Sequence, residues 1–148
     1  MSRLLFALGR ILLPAVFIVS GWNKLLNIKG VVAALEPKNL PIPFETQQYI
    51  GMPKLEALAY LVAIVELFGG VMILIGWKAR WAALALFIFS GLTIYYFHDF
   101  WSPALDEAVR AAAQTDALKN LSIMGGLLMV VAIGSGPVAL ERPRLPAE

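Results

Sequence analysis

The sequence predicts an all-α membrane protein: a four-helix transmembrane bundle formed by one domain that covers residues 1–148. Of these residues 59% are hydrophobic and only 15% are charged, which leaves too little polar surface to coat a soluble domain of this size. The apolar residues are concentrated in four segments, and each is close to the ~20 residues that a spanning helix needs. No repeat, low-complexity tract or linker divides the chain.

Charge and cysteine content exclude several classes of function. The net charge is +2, and in a membrane protein a small basic excess sets topology, so no nucleic-acid partner is expected. The chain contains no cysteine, which excludes disulfides, thiolate metal sites and thiol redox chemistry. Membrane lipids are the expected partners, and no metal site is predicted.

The hydropathy pattern places the four spanning helices. They are predicted at about residues 4–25, 55–77, 81–98 and 118–135. In the first, Pro14 has no backbone N–H to bond to the carbonyl of Arg10, so a kink is expected there. This segment has no small-residue cleavage pattern and is expected to be retained rather than removed as a signal peptide. The second and third are separated only by a short turn, so they must be antiparallel neighbours.

The longer connections carry local signals of their own. Four prolines divide the first, at about residues 27–54, into short extended or turn pieces: Pro37, Pro41, Pro43 and Pro53. In the third connection, Ser102 has the residue type of an N-cap and Pro103 suits the first helical position. Asp106 and Glu107 then fall in the first turn, which favours acidic side chains. These residues predict a short amphipathic helix lying on the outer membrane face.

Basic residues predict the orientation. Both termini and the short turn after the second span share one side, whose positive charges are Arg3, Lys78, Arg80, Arg142 and Arg144. The basic residues of the other side are spread through two longer, acid-containing loops. Because short basic loops favour the cytoplasmic side, both termini are predicted to be cytoplasmic.

Glu66 stands alone in the middle of the second apolar segment, where a carboxyl group is costly and is expected to face the protein interior. Arg10 lies at a compatible depth, but helical side chains lean toward their own N-terminus, so Arg10 and Glu66 lean apart. Lys24 and His98, at the outer ends of outward-running helices, lean back toward Glu66. The predicted polar cluster in the outer half of the membrane comprises Asn23, Lys24, Glu66 and His98, with Lys119 and Asn120 at its rim.

Simpler roles stay open for these residues. Arg10 is equally well explained by a side chain that extends to the inner headgroups. Glu66 can make a structural hydrogen bond as a protonated acid. Residues near helix ends are often interface anchors, and these are Lys24, His98, Asp99, Lys119 and Asn120. Arg10, Asp99 and Tyr95 are secondary site candidates.

Helical spacing predicts one inward-facing stripe on each span. The stripes are Arg10, Pro14, Phe17, Gly21 and Lys24; Glu66, Gly69, Gly70 and Ile73; Phe87, Gly91, Tyr95 and His98; and Lys119, Ser122, Gly126 and Met129. Glycines on these faces would allow neighbouring backbones to approach closely.

Four sequence blocks carry a resemblance to a known family. They are Gly9-Arg10 with Ser20-Gly21-Trp22-Asn23-Lys24-Leu25, Glu66-Leu67-Phe68-Gly69-Gly70, Phe97-His98-Asp99-Phe100-Trp101, and Lys119-Asn120-Leu121-Ser122-Ile123-Met124-Gly125-Gly126. In this order, over nearly the whole chain, they resemble the DoxX family of small bacterial membrane proteins. The resemblance implies a four-helix bundle in a prokaryotic cytoplasmic membrane. It also implies a link to redox systems, because the family is named after a subunit of a thiosulfate:quinone oxidoreductase.

Two hypotheses of function follow. In the first, the protein is a membrane subunit of a redox system that holds a quinone or a small sulfur-containing substrate, with His98 as the proton carrier. Since the chain has one histidine, no cysteine and no dinucleotide fingerprint, it has no intrinsic cofactor and needs a redox partner subunit. In the second, it binds, moves or scaffolds a lipid or small solute without catalysis, and a pore would require a homo-oligomer. No catalytic residue is assigned.

Overall fold

Every secondary-structure element in the described part of the chain is a helix. The computed structural model describes residues 2–43, 46, 51–103, 105–136 and 139–141. The helices are α1 (Ser2–Leu12), α2 (Ala15–Leu26), α3 (Ile28–Leu35), α4 (Lys54–Ile75), α5 (Ala79–Phe97) and α6 (Glu107–Ile133), with a 3₁₀ turn at Glu36–Lys38 after α3.

Four helical stretches are long and apolar enough to cross a membrane: Leu4–Leu26, Lys54–Ile75, Ala79–Phe97 and Glu107–Ile133. The all-α class and the four spans are therefore confirmed. Which side of the membrane each end occupies stays a prediction. Two of the residues used for it, Arg142 and Arg144, lie outside the described residues.

The first span is broken at Pro14, as its missing N–H predicts. Helix α1 ends at Leu12 and α2 begins at Ala15. The last turn before the break is closed by the Leu13 N–H bonding to the Gly9 carbonyl at 2.9 Å, and the next turn starts from the Pro14 carbonyl. The carbonyl of Arg10 has no N–H at Pro14 to accept, so the helix axis can change direction here.

Glycines hold α2 against α4. A Cβ atom added at Gly21 would lie 2.8 Å from the Ala63 carbonyl oxygen and 2.6 Å from the Leu67 nitrogen. About two turns further along α4, a Cβ added at Gly70 would lie 2.8 Å from the Ile18 side chain. The two helices are therefore in backbone contact, which only glycine permits at these positions.

The apolar core occupies one half of the bundle. The turn between α4 and α5, at residues 76–78, marks one end of the molecule, here named the turn end; the opposite end is the pocket end. The core lies toward the turn end and comprises Phe17, Ile73, Ala79, Ala82, Ala83, Leu86, Leu127 and Val130. Near its middle, Gly69 of α4 lies against the Leu86 side chain. The half near the pocket end contains a cavity, which is described below.

Helices α5 and α6 do not present the stripes expected from spacing. The buried residues are Ala79, Ala82, Ala83, Leu86 and Ser90 on α5, and Ala117, Leu127 and Val130 on α6. Tyr95 is 62% exposed and Met129 64% exposed. In a membrane, apolar side chains cover the lipid-facing side as well as the interior, so hydropathy does not identify the inward face. Small residues, which allow close packing, identify it on α5.

The first long connection is more helical than the prolines suggested. The expectation of only extended and turn pieces is wrong for α3, which occupies the stretch before Pro37. Asn27 starts this helix, because its side-chain oxygen accepts the Gly30 N–H at 3.1 Å. The 3₁₀ turn that contains Pro37 ends at Asn39, in the left-handed conformation.

The expected separate interfacial helix does not form. Its residues become the first turns of α6, which begins at Glu107 after Asp106 and continues without a break to Ile133. No glycine or proline interrupts residues 107–124, and alanines fill much of the expected boundary, so nothing ends the helix there. At 27 residues the helix is about 40 Å long, more than the ~30 Å of a hydrocarbon core. Its first turns therefore extend beyond the membrane.

A short segment after α6 closes the turn end. The backbone N–H groups of Leu140 and Glu141 bond to the carbonyls of Ile75 and Gly76 at 3.0 and 3.2 Å. The Glu141 carboxylate accepts the Lys78 backbone N–H at 2.8 Å. The two backbone bonds satisfy carbonyls that the C-terminus of α4 leaves without helical partners, and the carboxylate satisfies the Lys78 N–H just before α5.

Candidate functional site

The buried acid of α4, Glu66, is neutralised by a lysine of α2. Glu66 is 4% exposed, and its Oε2 lies 2.5 Å from Nζ of Lys24. The Lys24 side chain is 29% exposed, against 6% for that of Glu66. The pair thus has a buried acidic end and a cationic end that reaches the surface of a cavity.

Ser20 completes a triad that the sequence reasoning did not include. Its hydroxyl donates to Glu66 Oε2 at 2.9 Å and accepts from Lys24 Nζ at 2.8 Å. Ser20 precedes Lys24 by four residues, so both side chains lie on the same face of α2. That spacing was the signal available in the sequence. One oxygen of the Glu66 side chain therefore accepts from both donors.

A cavity of about 680 Å³ opens beside this triad. It lies between α2, α3, α4 and α5 at the pocket end and is called the pocket below. Its polar lining residues are Ser20, Asn23, Lys24, Asn27, Thr93, Tyr96 and His98. Its apolar lining residues include Val31, Leu35, Leu58, Val62, Phe89 and Leu92. The pocket therefore combines a mostly aliphatic and aromatic wall with a few polar groups, the usual composition of a small-molecule site.

Three of the four residues predicted at the centre of the cluster line the pocket. Asn23 and Lys24 reach it from the last turns of α2, and His98 from the end of α5. His98 directly follows the last residue of α5, and its N–H bonds to the Ile94 carbonyl at 3.1 Å. Glu66 is not a lining residue, and it acts on the pocket through Lys24.

The two predicted rim residues lie elsewhere. Lys119 pairs with Asp116 on the exposed surface of α6, at 3.0 Å, and Asn120 donates to the Asp116 carbonyl at 3.1 Å. Neither lines the pocket. Helix α6 packs against α5, and none of the pocket-lining residues belongs to α6.

Tyr95 and Asp99 also lie outside the pocket lining. The Tyr95 ring meets the rings of Tyr96 and Trp101 at centroid distances of 4.9 and 6.1 Å. Of these three, Tyr96 lines the pocket. Asp99 closes a turn, because its carbonyl accepts the Ser102 N–H at 2.8 Å.

Arg10 lies at the turn end of the bundle. Its side chain is buried, with the residue 5% exposed, and Nη1 donates to the Ser135 carbonyl at 2.6 Å. It also lies against Gly76, where an added Cβ would come 2.6 Å from Nη1. Gly76 is ten residues beyond Glu66, about 15 Å along α4. Arg10 therefore does not pair with Glu66; it binds the backbone just after α6.

The pocket offers donors rather than metal ligands. Among the described residues, no group of three or more histidine, cysteine, aspartate or glutamate side chains could hold a metal ion. Lys24 has three N–H donors, and two of them bond to Ser20 and Glu66. Its ammonium also lies 5.8 Å from the centroid of the Phe89 ring, within the range of a cation–π contact. The third donor of Lys24 is left to bond an acceptor in the pocket.

Several known proteins are similar in sequence to this chain. The chain is 31% identical over 137 residues to the inner membrane protein YqjF of Escherichia coli, across 90% of this chain and 87% of that protein. It is 28% identical over 140 residues to the inner membrane protein YphA of the same organism, across 93% and 89%. A Surfeit locus protein 4 homolog of Schizosaccharomyces pombe is 30% identical over 84 residues, across 57% of this chain and 28% of that protein. No solved structure matches.

The family match covers the helices that build the pocket. The DoxX profile matches residues 5–99, a range that holds α2, α3, α4 and α5 and every pocket-lining residue. With four membrane-spanning helices and this match over most of its length, the chain belongs to the DoxX family of membrane proteins.

Proposed function

We propose that this protein binds an amphipathic molecule in the pocket and holds an acceptor oxygen of its head with Lys24. A quinone is the ligand that we put forward first, with the protein as the membrane subunit of an oxidoreductase system. The observation that carries the proposal is the partly exposed Lys24 ammonium, held by Ser20 and Glu66 beside a cavity with mostly apolar walls.

Donor geometry supports binding of a carbonyl oxygen. Two of the Lys24 donors are used within the triad, and a carbonyl in the pocket can accept the third without displacing either partner. His98 and Asn23 line the same pocket and provide further hydrogen-bonding groups. An imidazole is the side chain best suited to exchange protons near neutral pH, which suits a ligand whose reduction consumes protons.

The walls of the pocket support an apolar body. Leu35, 3% exposed, and Phe89 lie on different sides of the cavity, on α3 and α5. Burial of a ring or chain between such side chains is worth about 25 cal/mol per Å² of apolar surface. A quinone held there would supply the two-electron chemistry, while the residues of this chain bind and orient its carbonyl. The electrons would come from a partner subunit, since this chain has no cysteine.

The relatives support the location. YqjF and YphA are both named inner membrane proteins, and this chain aligns with most of the length of each. We place it in the bacterial inner membrane as a multi-pass protein with both termini cytoplasmic.

A pocket-filling variant tests the proposal. Val62→Trp places a large ring in the cavity and leaves the triad intact, so binding of decylubiquinone should fall at least tenfold. Val19→Trp is the matched control, because Val19 lies on α2 but is 59% exposed and does not line the pocket. Binding is measured by calorimetry on protein in lipid nanodiscs. Equal affinity for decylubiquinone in wild type and both variants would contradict a ligand in the pocket.

Binding of a lipid without redox chemistry is the second candidate, and the largely apolar lining favours it. An acyl chain could occupy the same cavity with its ester carbonyl at Lys24. Mass spectrometry of protein purified with its native lipids separates the two. Co-purified quinone, together with slower quinone reduction in membranes of a deletion strain, supports the first candidate. Co-purified lipid with unchanged quinone reduction supports the second.

A further inference from the structure

We infer that Glu66 sets the charge selectivity of the pocket: it neutralises Lys24, so the site accepts an uncharged head with an acceptor oxygen and discriminates against an anionic head. This inference rests on the proposed function, because it assumes that the ligand head lies at Lys24. Glu66 is then a specificity-determining residue that never contacts the ligand.

The positive charge of Lys24 in the pocket lining is balanced by its contact with Glu66. Among the described lining residues, Lys24 is the only lysine or arginine, no aspartate or glutamate is present, and the titratable groups besides Lys24 are Tyr96 and His98. Glu66, directly behind Lys24 at 2.5 Å, provides the compensating negative charge. A ligand that reaches Lys24 therefore meets a neutral pair rather than a free cation.

The consequences differ for uncharged and anionic heads. A carbonyl or ester oxygen can accept the third Lys24 donor while the ion pair stays intact. An anion at Lys24 would lie near the Glu66 carboxylate, where low polarity makes repulsion between like charges strong. If the anion instead drew Lys24 away, Glu66 would remain as an uncompensated buried charge, which is costly.

Ser20 reinforces this arrangement. Its hydroxyl donates to the same Glu66 oxygen that Lys24 contacts, so the carboxylate is held in its orientation toward Lys24. Without this bond Glu66 would be freer to turn away from Lys24 when an anion enters the pocket.

Glu66→Gln removes the charge and preserves the shape. The amide oxygen of glutamine can still accept from Ser20 and Lys24, but Lys24 then carries an unbalanced positive charge into the pocket. The variant should therefore gain affinity for anions and keep its affinity for uncharged heads.

Dodecanoate and methyl dodecanoate are matched probes that share their acyl chain and differ in charge. In nanodiscs, wild type should bind the ester at least tenfold more tightly than the carboxylate. Glu66→Gln should bind dodecanoate at least tenfold more tightly than wild type does, with the ester affinity changed by less than threefold. Glu141→Gln is the control, because it removes an acid at the turn end, which does not line the pocket, and it should behave as wild type. The double variant Lys24→Gln/Glu66→Gln should not gain dodecanoate affinity.

The outcomes separate the inference from the proposed function. If wild type and all variants bind neither probe, the proposed ligand pocket is wrong. If the ester binds and Val62→Trp abolishes that binding, but Glu66→Gln leaves the preference for the ester unchanged, the pocket stands and the inference is overturned. A gain of dodecanoate affinity in the double variant as large as in Glu66→Gln would also overturn it.

A measurement on wild type keeps the inference testable if Glu66→Gln does not fold. Wild type by itself should bind methyl dodecanoate at least tenfold more tightly than dodecanoate, because only the carboxylate brings a second negative charge close to Glu66. Equal affinities of wild type for the two probes would contradict the inference.

Discussion

The backbones of Gly21 and Leu67 are in direct contact: a Cβ atom added at Gly21 would lie 2.6 Å from the Leu67 nitrogen. This contact positions the ion pair. Lys24 lies three residues beyond Gly21 on α2, and Glu66 immediately precedes Leu67 on α4. The lysine can reach the acid because no side chain separates the two helices at this level.

Gly21→Ala should therefore destabilise the protein by about 1–3 kcal/mol, the usual cost of forcing an extra group into a packed site. The methyl group would meet backbone atoms of α4, which cannot move aside as a flexible side chain can. Thermal unfolding in detergent measures the effect.

Gly125→Ala is the matched control. An added Cβ at Gly125 meets nothing within 4 Å, and alanine favours helix over glycine by about 0.5–1 kcal/mol. Its melting temperature should be unchanged or slightly raised. A similar fall for both variants would show that the contact with α4 is not what matters at Gly21.

Replacement of Lys24 should lower the free energy of unfolding more than replacement of Glu66. Lys24→Met leaves the buried Glu66 carboxylate without its positive partner, which typically costs about 3–5 kcal/mol. Glu66→Gln leaves Lys24, whose side chain is 29% exposed and can be partly solvated, so its cost should be smaller. Unfolding free energies in mixed micelles rank the two variants.

Lys119→Met provides the comparison for that experiment. Lys119 also makes an ion pair, with Asp116, but both side chains are exposed, and surface pairs contribute little. It should unfold as wild type does. If Lys24→Met were as mild as Lys119→Met, the buried pair would have no special role in stability.

Arg10→Met should release the segment that follows α6. The guanidinium bonds to the Ser135 carbonyl at 2.6 Å, and without it the amide protons of Leu140 and Glu141, which bond to the end of α4, should exchange faster with solvent. Hydrogen exchange followed by mass spectrometry measures this, with peptides from α2 as the internal reference. Arg80→Gln should change the exchange little, because its contact with the Ile133 carbonyl is exposed and long, at 3.4 Å.

Membrane orientation can be tested because the chain has no cysteine. Lys78→Cys and Asp106→Cys each introduce one exposed thiol at opposite ends of the bundle. If the termini are cytoplasmic, a membrane-impermeant maleimide added to intact cells should label Asp106→Cys and leave Lys78→Cys unlabelled until the membrane is opened. The reverse pattern would show that the termini face outward, and the unlabelled wild type is the blank.

Part of the candidate site could be predicted from the sequence, because helical side chains lean toward the N-terminus of their own helix. Lys24 and His98 were expected to lean toward the level of Glu66; the structure places Lys24 against Glu66, and His98 lines the same pocket as Lys24. Ser20 was missed because a lone serine in an apolar helix has no distinctive signal except its spacing from Lys24. Lys119 and Asn120 were included only because they lie near the predicted start of the fourth span, and depth in the membrane says nothing about which helix lies alongside.

The sequence by itself determined the membrane class, the four spans and the break at Pro14, because hydropathy and a missing N–H act within a single segment. It also showed that Glu66 needed a partner, since an isolated charge at that depth is too costly. Only the tertiary structure decided which cation Glu66 received, which faces of α5 and α6 turn inward, and that Arg10 bonds to the Ser135 carbonyl just after α6. The physical reason is that lipid and protein interior are both apolar. Polarity therefore leaves helix rotation undetermined, and close packing at residues such as Gly21 and Gly70 sets it.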